Sequence, residues 1–320
     1  MRGKKSGSRR RWLVLLMAAS FCVVFLFPSP RQRVGEVTLA ALGAGDAELA
    51  VVGNSVVTHV SKCDADRRDI PAMLQDTLES EVVDLSYGGE PLAESINYAA
   101  IALQQARIRT VVLYLGQGSL ANPDPNDLQT TAFFGLVAGP FRVNDLGARL
   151  SRGTGLMPGA ATARLPFRYE GIDYPAYDKI QMTYFADEKA RQGCPETLGH
   201  DLRFIEANFW TNLVRPEPFW PLLEDIGDLQ RQATARGKRL VVIFLPNDMT
   251  GLRTLDAGLA AQVDARRAEI VQRAASIGVS MTEIGPFGPD QFADRWCACG
   301  HLSQSGRHAV TAATKDVLVN

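Results

Sequence analysis

Two short segments near opposite ends of the chain contain the residue types needed for nucleophilic catalysis. Residues 51–56 read Val-Val-Gly-Asn-Ser-Val, so Ser55 follows an apolar run and a glycine. Residues 300–303 read Gly-His-Leu-Ser, so His301 comes just before a helical pattern that runs to the C-terminus. An imidazole within hydrogen-bond reach of a hydroxyl can take its proton and activate it as a nucleophile. A serine after a strand is more often a turn or helix-capping residue, so the chemistry requires a fold that brings His301 to Ser55.

The sequence around these segments alternates between strand and helix patterns. Short apolar runs, typical of buried parallel strands, lie at residues 49–52, 82–85, 110–115, 239–245 and 279–284. Apolar spacing of three and four residues predicts helices at 71–78, 92–107, 221–235 and 259–275, and a last helix-like stretch opens at His301. This alternation predicts an α/β fold with a doubly wound, five-stranded parallel sheet of flavodoxin-like order.

Glycine-containing turns follow three of the predicted strands, at residues 53–55, 88–89 and 116–118. In open parallel sheets the ligand crevice lies outside the carboxyl ends of the strands. We therefore expect these turns to converge at one edge of the sheet and to form a site there.

Taken together, the blocks resemble the SGNH (GDSL-like) hydrolase superfamily over residues 48–118 and 238–318. The turn at 53–55 is similar to the Gly-Asp-Ser block of that family, with Asn for Asp, which implies that Ser55 is the nucleophile. Residues 298–306 are similar to its Asp-x-x-His-Leu-Ser-x-x-Gly block, which implies that His301 is the general base. The resemblance also implies an oxyanion hole formed by the backbone amides of Ser55 and Gly89.

The sequence departs from the family pattern at two positions. Ala298 stands where the family has the aspartate that orients the histidine, and Gly118 stands where it has an asparagine that contributes to the oxyanion hole. Asp294 or a backbone carbonyl could orient His301 instead, and the Gln117 amide could reach the hole. The predicted chemistry needs neither a cofactor nor a metal.

Residues 120–218 interrupt the alternation of strands and helices. This segment is rich in proline, glycine and aromatic residues, and it is too long for an ordinary loop and too apolar for a disordered one. We interpret it as an insertion that covers the crevice. It is either a substrate-binding cap or a packing layer over the sheet.

The N-terminus has the pattern of a targeting segment. A basic stretch precedes an apolar run at residues 12–27, which Pro28 and Pro30 close. The run is short for a hydrocarbon core of ~30 Å, so a cleaved signal peptide and a signal anchor are both possible. We favour an anchor at 1–30, a linker at 31–47 and the α/β domain at 48–320. The positive-inside rule then predicts a single-pass protein of the cytoplasmic membrane whose C-terminal domain is extracytoplasmic, in the periplasm.

The net charge bears on nucleic-acid binding, and the cysteine content bears on disulfides and metal sites. The formal net charge is -1, so no global positive field favours nucleic acid. In an oxidising compartment the cysteines outside the apolar run, Cys63, Cys194, Cys297 and Cys299, could form one or two disulfides, with three possible pairings of the four. A zinc site is the less favoured interpretation, because a lone Cys-x-Cys has no second pair at ligand spacing.

The resemblance, together with export, implies an esterase or O-acyltransferase that acts on acyl esters of a cell-envelope or exopolysaccharide glycan. Its partners would be an acylated glycan or small ester and, through residues 12–27, the cytoplasmic membrane. A different class of function is a catalytically inactive, membrane-tethered factor that binds or assembles glycans. A third is hydrolysis of lipid esters at the membrane surface.

Overall fold

Five short apolar segments form a single parallel sheet in the computed structural model, which describes residues 41–42, 45–60, 64–87, 92–117, 220–249, 253, 257–293 and 300–319. The strands are β1 (Leu49–Val52), β2 (Val82–Asp84), β3 (Thr110–Leu115), β4 (Arg239–Phe244) and β5 (Met281–Glu283). They pair in the order β2-β1-β3-β4-β5, and every pair is parallel. The predicted α/β class with a five-stranded parallel sheet is therefore confirmed, and the strand order is the flavodoxin-like one.

Helices follow the strands along the chain. They are α1 (Ser55–Thr58), α2 (Ile70–Leu78), α3 (Leu92–Gln104), α4 (Trp220–Ala235), α5 (Ala257–Ser276) and α6 (Gln304–Val319), with a short 3-10 helix at Pro289–Gln291. Side chains cap the first two: Asn54 Oδ1 accepts from the Val56 amide, and Asp69 Oδ1 accepts from the Ala72 amide, each over 3.0 Å. Both caps satisfy amides that a helix N-terminus would otherwise leave unpaired.

The strands contribute alternate residues to two hydrophobic cores, one on each face of the sheet. On β3, Val111 and Leu113 face the core that contains the apolar sides of α3, α4 and α5, whereas Val112 and Tyr114 face the core that contains those of α2 and α6. Successive residues of a strand point to opposite faces. A continuous apolar run such as β3 is therefore required for a strand that is covered on both sides.

Several element limits differ from the sequence-based expectation; for example, the predicted helix 92–107 ends at Gln104, and the last helix begins at Gln304 instead of His301. The fifth strand begins at Met281 instead of residue 279, because Val279 belongs to the turn that ends α5: its amide donates to the Ala274 carbonyl over 2.9 Å after Gly278 at φ 77°. Leu42 and Ala47, inside the predicted linker, are buried in the core beside α3.

Several predicted features lie outside the described residues. These are the anchor at 1–30, the insertion at 120–218 and all five cysteines. Among the helices that are described, none combines the length and the apolar character needed to cross a bilayer.

Candidate active site

Ser55 is held at the carboxyl end of β1 by a tight turn. The strand ends at Val52, and Ser55 is the first residue of α1, which Asn54 caps. A Cβ atom at Gly53 would lie 2.5 Å from Cγ2 of Val57. The turn thus brings the backbone against the first helical turn at a position where a side chain would not fit, and this close approach presents Ser55 at the sheet edge.

His301 precedes α6 in a loop that is fixed to the 3-10 helix region. The His301 carbonyl accepts from the Ala293 amide over 2.8 Å, and the Ser303 amide donates to the Gln291 carbonyl over 3.0 Å. Leu302, between them, is fully buried. The backbone on both sides of the histidine is therefore bonded, which leaves the imidazole as the part that extends toward α1.

The structure brings the two predicted reactive side chains together. His301 Nε2 lies 2.9 Å from Ser55 Oγ, although the residues are 246 positions apart in the chain. This distance is within the range over which a general base can take a hydroxyl proton. Both residues are partly exposed.

A second histidine contacts the same imidazole. His59, which follows α1, stacks on His301 with ring centroids 4.3 Å apart and an interplanar angle of 13°. The His59 amide donates to the Ser55 carbonyl over 2.8 Å. The sequence signal for this contact is the spacing of four residues from Ser55, which places both side chains on one side of a helical turn.

Gln117 is buried where β3 ends, and its side-chain amide joins three elements. Its Nε2 donates to the Val263 carbonyl on α5, and its Oε1 accepts from Asn247 Nδ2, each over 3.0 Å. Gly300, at φ 78°, lies beside this pair, since a Cβ atom there would be in ordinary contact with Asn247 Oδ1 at 3.6 Å. In this structure Gln117 thus supports the loop after β4, beside the segment that carries His301. Its role in an oxyanion hole stays a prediction.

Asp84 is an ionisable group at the same sheet edge that the sequence did not single out. It ends β2, opposite Val51 of β1, and its Oδ1 accepts from the Ser86 amide over 2.8 Å. Burial raises the pKa of the Asp84 carboxyl to about 6, against the opposing effect of the Ser86 hydrogen bonds, and the negative charge of Asp69 adds to the rise. The end of β2, the strand beside β1, therefore contains a carboxyl whose pKa is about 6.

The remaining predicted site residues, Gly89 and Asp294, lie outside the described part of the chain, as do Gly118 and Ala298. The residues that are described include no group of three or more His, Cys, Asp or Glu side chains arranged to hold a metal ion.

No protein-family model and no curated protein matches the chain. The geometry of the Ser55–His301 pair is therefore the basis on which a function can be proposed.

Proposed function

We propose that the protein is a serine-dependent esterase or O-acyltransferase of the SGNH type. The observation that supports this is the contact of 2.9 Å between His301 Nε2 and Ser55 Oγ at the carboxyl edge of the parallel sheet. Ligand sites of open α/β sheets lie at that edge. A hydroxyl paired with an imidazole there is a nucleophile with its base.

In the proposed reaction His301 Nε2 takes the Ser55 proton while Oγ forms a bond to the carbonyl carbon of an acyl ester. The backbone amides of Ser55 and Gly89 stabilise the negative oxygen of the tetrahedral intermediate. The ester bond to the alcohol then breaks, and His301 returns the proton to the departing oxygen, which leaves an acyl group on Ser55.

A second half-reaction regenerates the serine. Water or a sugar hydroxyl attacks the acyl carbon, and His301 takes its proton and gives it to Ser55 Oγ as the acyl bond to that oxygen breaks. Water as the acceptor makes the protein an esterase, and a sugar hydroxyl makes it an O-acyltransferase. In either case Asp294 is the carboxylate we propose to orient His301 in place of the family aspartate, which is Ala298 here.

We propose an acylated cell-envelope or exopolysaccharide glycan as the substrate. Residues 12–27 would hold the chain in the cytoplasmic membrane, with the α/β domain in the periplasm. Aromatic residues of the 120–218 insertion would then supply flat faces for sugar rings.

The alternative is an inactive, membrane-tethered factor that binds or assembles glycans with the same fold. The observations that favour it are Ala298 and Gly118, at which the sequence lacks the family's orienting carboxylate and oxyanion donor. Loss of one such donor has reduced rates by ~10²–10³ in other enzymes.

Labelling with a fluorophosphonate probe separates these two proposals. The full-length chain, purified in detergent, should be labelled, Ser55→Ala should abolish labelling, and His301→Ala should slow it by at least about 10³-fold. Ser276→Ala and His308→Ala, whose side chains are exposed on α5 and α6, are matched controls and should label like wild type. An unlabelled wild-type chain that still binds polysaccharide would support the inactive factor instead.

A further inference from the structure

Two residues of a single helical turn, Ser55 and His59, contact His301. Ser55 and His59 lie at the two ends of α1 and are joined by the hydrogen bond of 2.8 Å from the His59 amide to the Ser55 carbonyl. Ser55 Oγ is within hydrogen-bond distance of Nε2 of His301, and the His59 ring stacks on the face of the same imidazole. Ser55 and the stacked ring are therefore fixed relative to each other by a helix of four residues.

The two contacts restrain different motions of His301. A single N···O contact holds one ring nitrogen, but the ring plane can still tilt about the Cβ–Cγ bond of His301, which turns the Nε2 lone pair away from the hydroxyl. A nearly parallel ring with its centroid at 4.3 Å opposes that rotation, because a tilted imidazole would drive its edge into the His59 ring. The lone pair of Nε2 lies in the ring plane, so the orientation of that plane decides whether it points at the hydroxyl.

We propose that His59 is a positioning residue, whose ring holds the His301 imidazole in the plane in which Nε2 faces Ser55 Oγ. Its effect on catalysis rests on the proposed function, whereas its effect on the ring plane does not. When His301 takes the Ser55 proton, the resulting cation lies against the π face of His59, which also favours proton transfer.

Two substitutions separate positioning from a general effect on folding. His59→Phe keeps a flat ring and removes the nitrogen atoms, and His59→Ala removes the ring. His308→Ala is the matched control, because His308 is a half-exposed histidine on α6 that pairs with Asp66. Thermal unfolding of each variant verifies that the fold is retained.

The first readout is nuclear magnetic resonance of the full-length chain labelled on its four histidines. The stacked ring of His59 should shift the His301 ring protons upfield. This shift should disappear in His59→Ala, persist in His59→Phe and be unchanged in His308→Ala. Unchanged His301 signals in His59→Ala would overturn the inference, whether or not the protein is an enzyme.

The second readout is steady-state turnover of an acetyl ester. His59→Ala should lower kcat by about ten- to a hundredfold, the cost of misplacing a catalytic group, and KM should change by less than about threefold because a positioning residue acts through His301 and not on the substrate. His59→Phe should restore kcat to within about threefold of wild type.

The outcomes distinguish this inference from the proposed function. If wild type turns over the ester and His59→Ala does so at an equal rate, the inference is wrong and the function stands. If wild type is neither labelled nor active while the upfield shift depends on the ring at position 59, the function is wrong and the positioning of His301 stands.

Discussion

Burial disfavours the ionised form of the Asp84 carboxyl, which lies at the end of β2. The pKa of its carboxyl is raised from 3.8 to about 6, mainly by burial. The folded state therefore binds this proton more tightly than the unfolded chain does. Its contribution to stability is fully present below about pH 4 and is lost as the pH rises through 6, because a proton bound only by the folded state is then released.

Asp84→Asn should therefore stabilise the protein above pH 6 and have little effect near pH 4. The amide oxygen can still accept from the Ser86 amide, and no charge has to be buried. The rise of the Asp84 pKa from 3.8 to about 6 corresponds to an upper limit of about 3 kcal/mol in the free energy of unfolding. Urea unfolding of the full-length chain at pH 4.5 and 7.5 measures the effect.

Asp228→Asn is the control for this experiment, since Asp228 is exposed on α4 in an ion pair with Arg231. It should change the free energy of unfolding by less than about 1 kcal/mol at either pH. Equal effects of Asp84→Asn at both pH values would contradict a burial-driven shift.

At the scale of single residues, the Ser55–His301 contact was predicted because the blocks around the two residues resemble those of a family in which they meet. The sequence did not predict the environment of Asp84 or the stack of His59 on His301. The raised pKa of Asp84 depends on its burial in the folded chain and on the charge of Asp69, which lies on another element. A lone histidine near a helix is most often structural, so the ring contact of His59 became visible only in three dimensions.

Helix α6 carries the segment that follows His301, and Arg307 fixes it to the loop before α2. The Arg307 side chain is fully buried, with Nη1 2.6 Å from Asp64 Oδ2. Its Nε and Nη2 donate to the Arg68 and Asp66 carbonyls over 3.0 and 2.8 Å. The guanidinium thus satisfies three groups on one loop, and removing it would leave them without that donor.

Arg307→Met should destabilise the fold by about 3–5 kcal/mol, because it leaves the Asp64 carboxylate without its buried partner. The double variant Arg307→Met/Asp64→Asn should recover part of the loss, since the unpaired charge is then gone. Urea unfolding measures both. Should Arg307→Met be too unstable to purify, Arg307→Lys keeps the charge and should lose less stability.

Arg253→Met is the control for Arg307. Arg253 also pairs with a carboxylate, that of Asp264 at 2.8 Å, but both side chains are largely exposed. This substitution should cost less than about 1 kcal/mol. Equal losses at positions 253 and 307 would show that burial of the guanidinium contributes nothing.

Gly306, in the first turn of α6, is the second constraint on the His301 segment. A Cβ atom at this position would lie 2.1 Å from the Gln291 carbonyl oxygen, which is backbone and cannot rotate away. That carbonyl accepts from the Ser303 amide over 3.0 Å, two residues after His301. The start of α6 can therefore pack on the 3-10 helix only where residue 306 has no side chain.

Gly306→Ala should destabilise the protein and slow labelling of Ser55, although in an ordinary helix the same change stabilises by about 1 kcal/mol. The expected sign is reversed because α6 must move away from Gln291 and take the His301 loop with it. Ala312→Gly, at an exposed position of the same helix, measures the propensity effect alone. A more stable Gly306→Ala variant with normal labelling would rule out this close contact.

Across the whole molecule, sequence periodicity was sufficient to predict the sheet. Strands such as β3 and β4 are apolar at consecutive positions because both faces are covered, one core filling each side. The limits of individual elements were predicted less well, as the delayed start of β5 after Gly278 demonstrates. The pattern of apolar residues gives no information about hydrogen bonds between side chains. The Gln117–Asn247 contact and the buried Tyr114–Thr314 hydroxyl pair could therefore not be predicted from it.

The separation of 246 positions between Ser55 and His301 also has a consequence for biosynthesis. A growing polypeptide contains the hydroxyl long before the ribosome has added the imidazole. Ser55 accordingly lacks its contact with His301 throughout most of synthesis and gains it only after the segment before α6 has been added. Under the proposed function, chains truncated before His301 would have no general base and would be inactive.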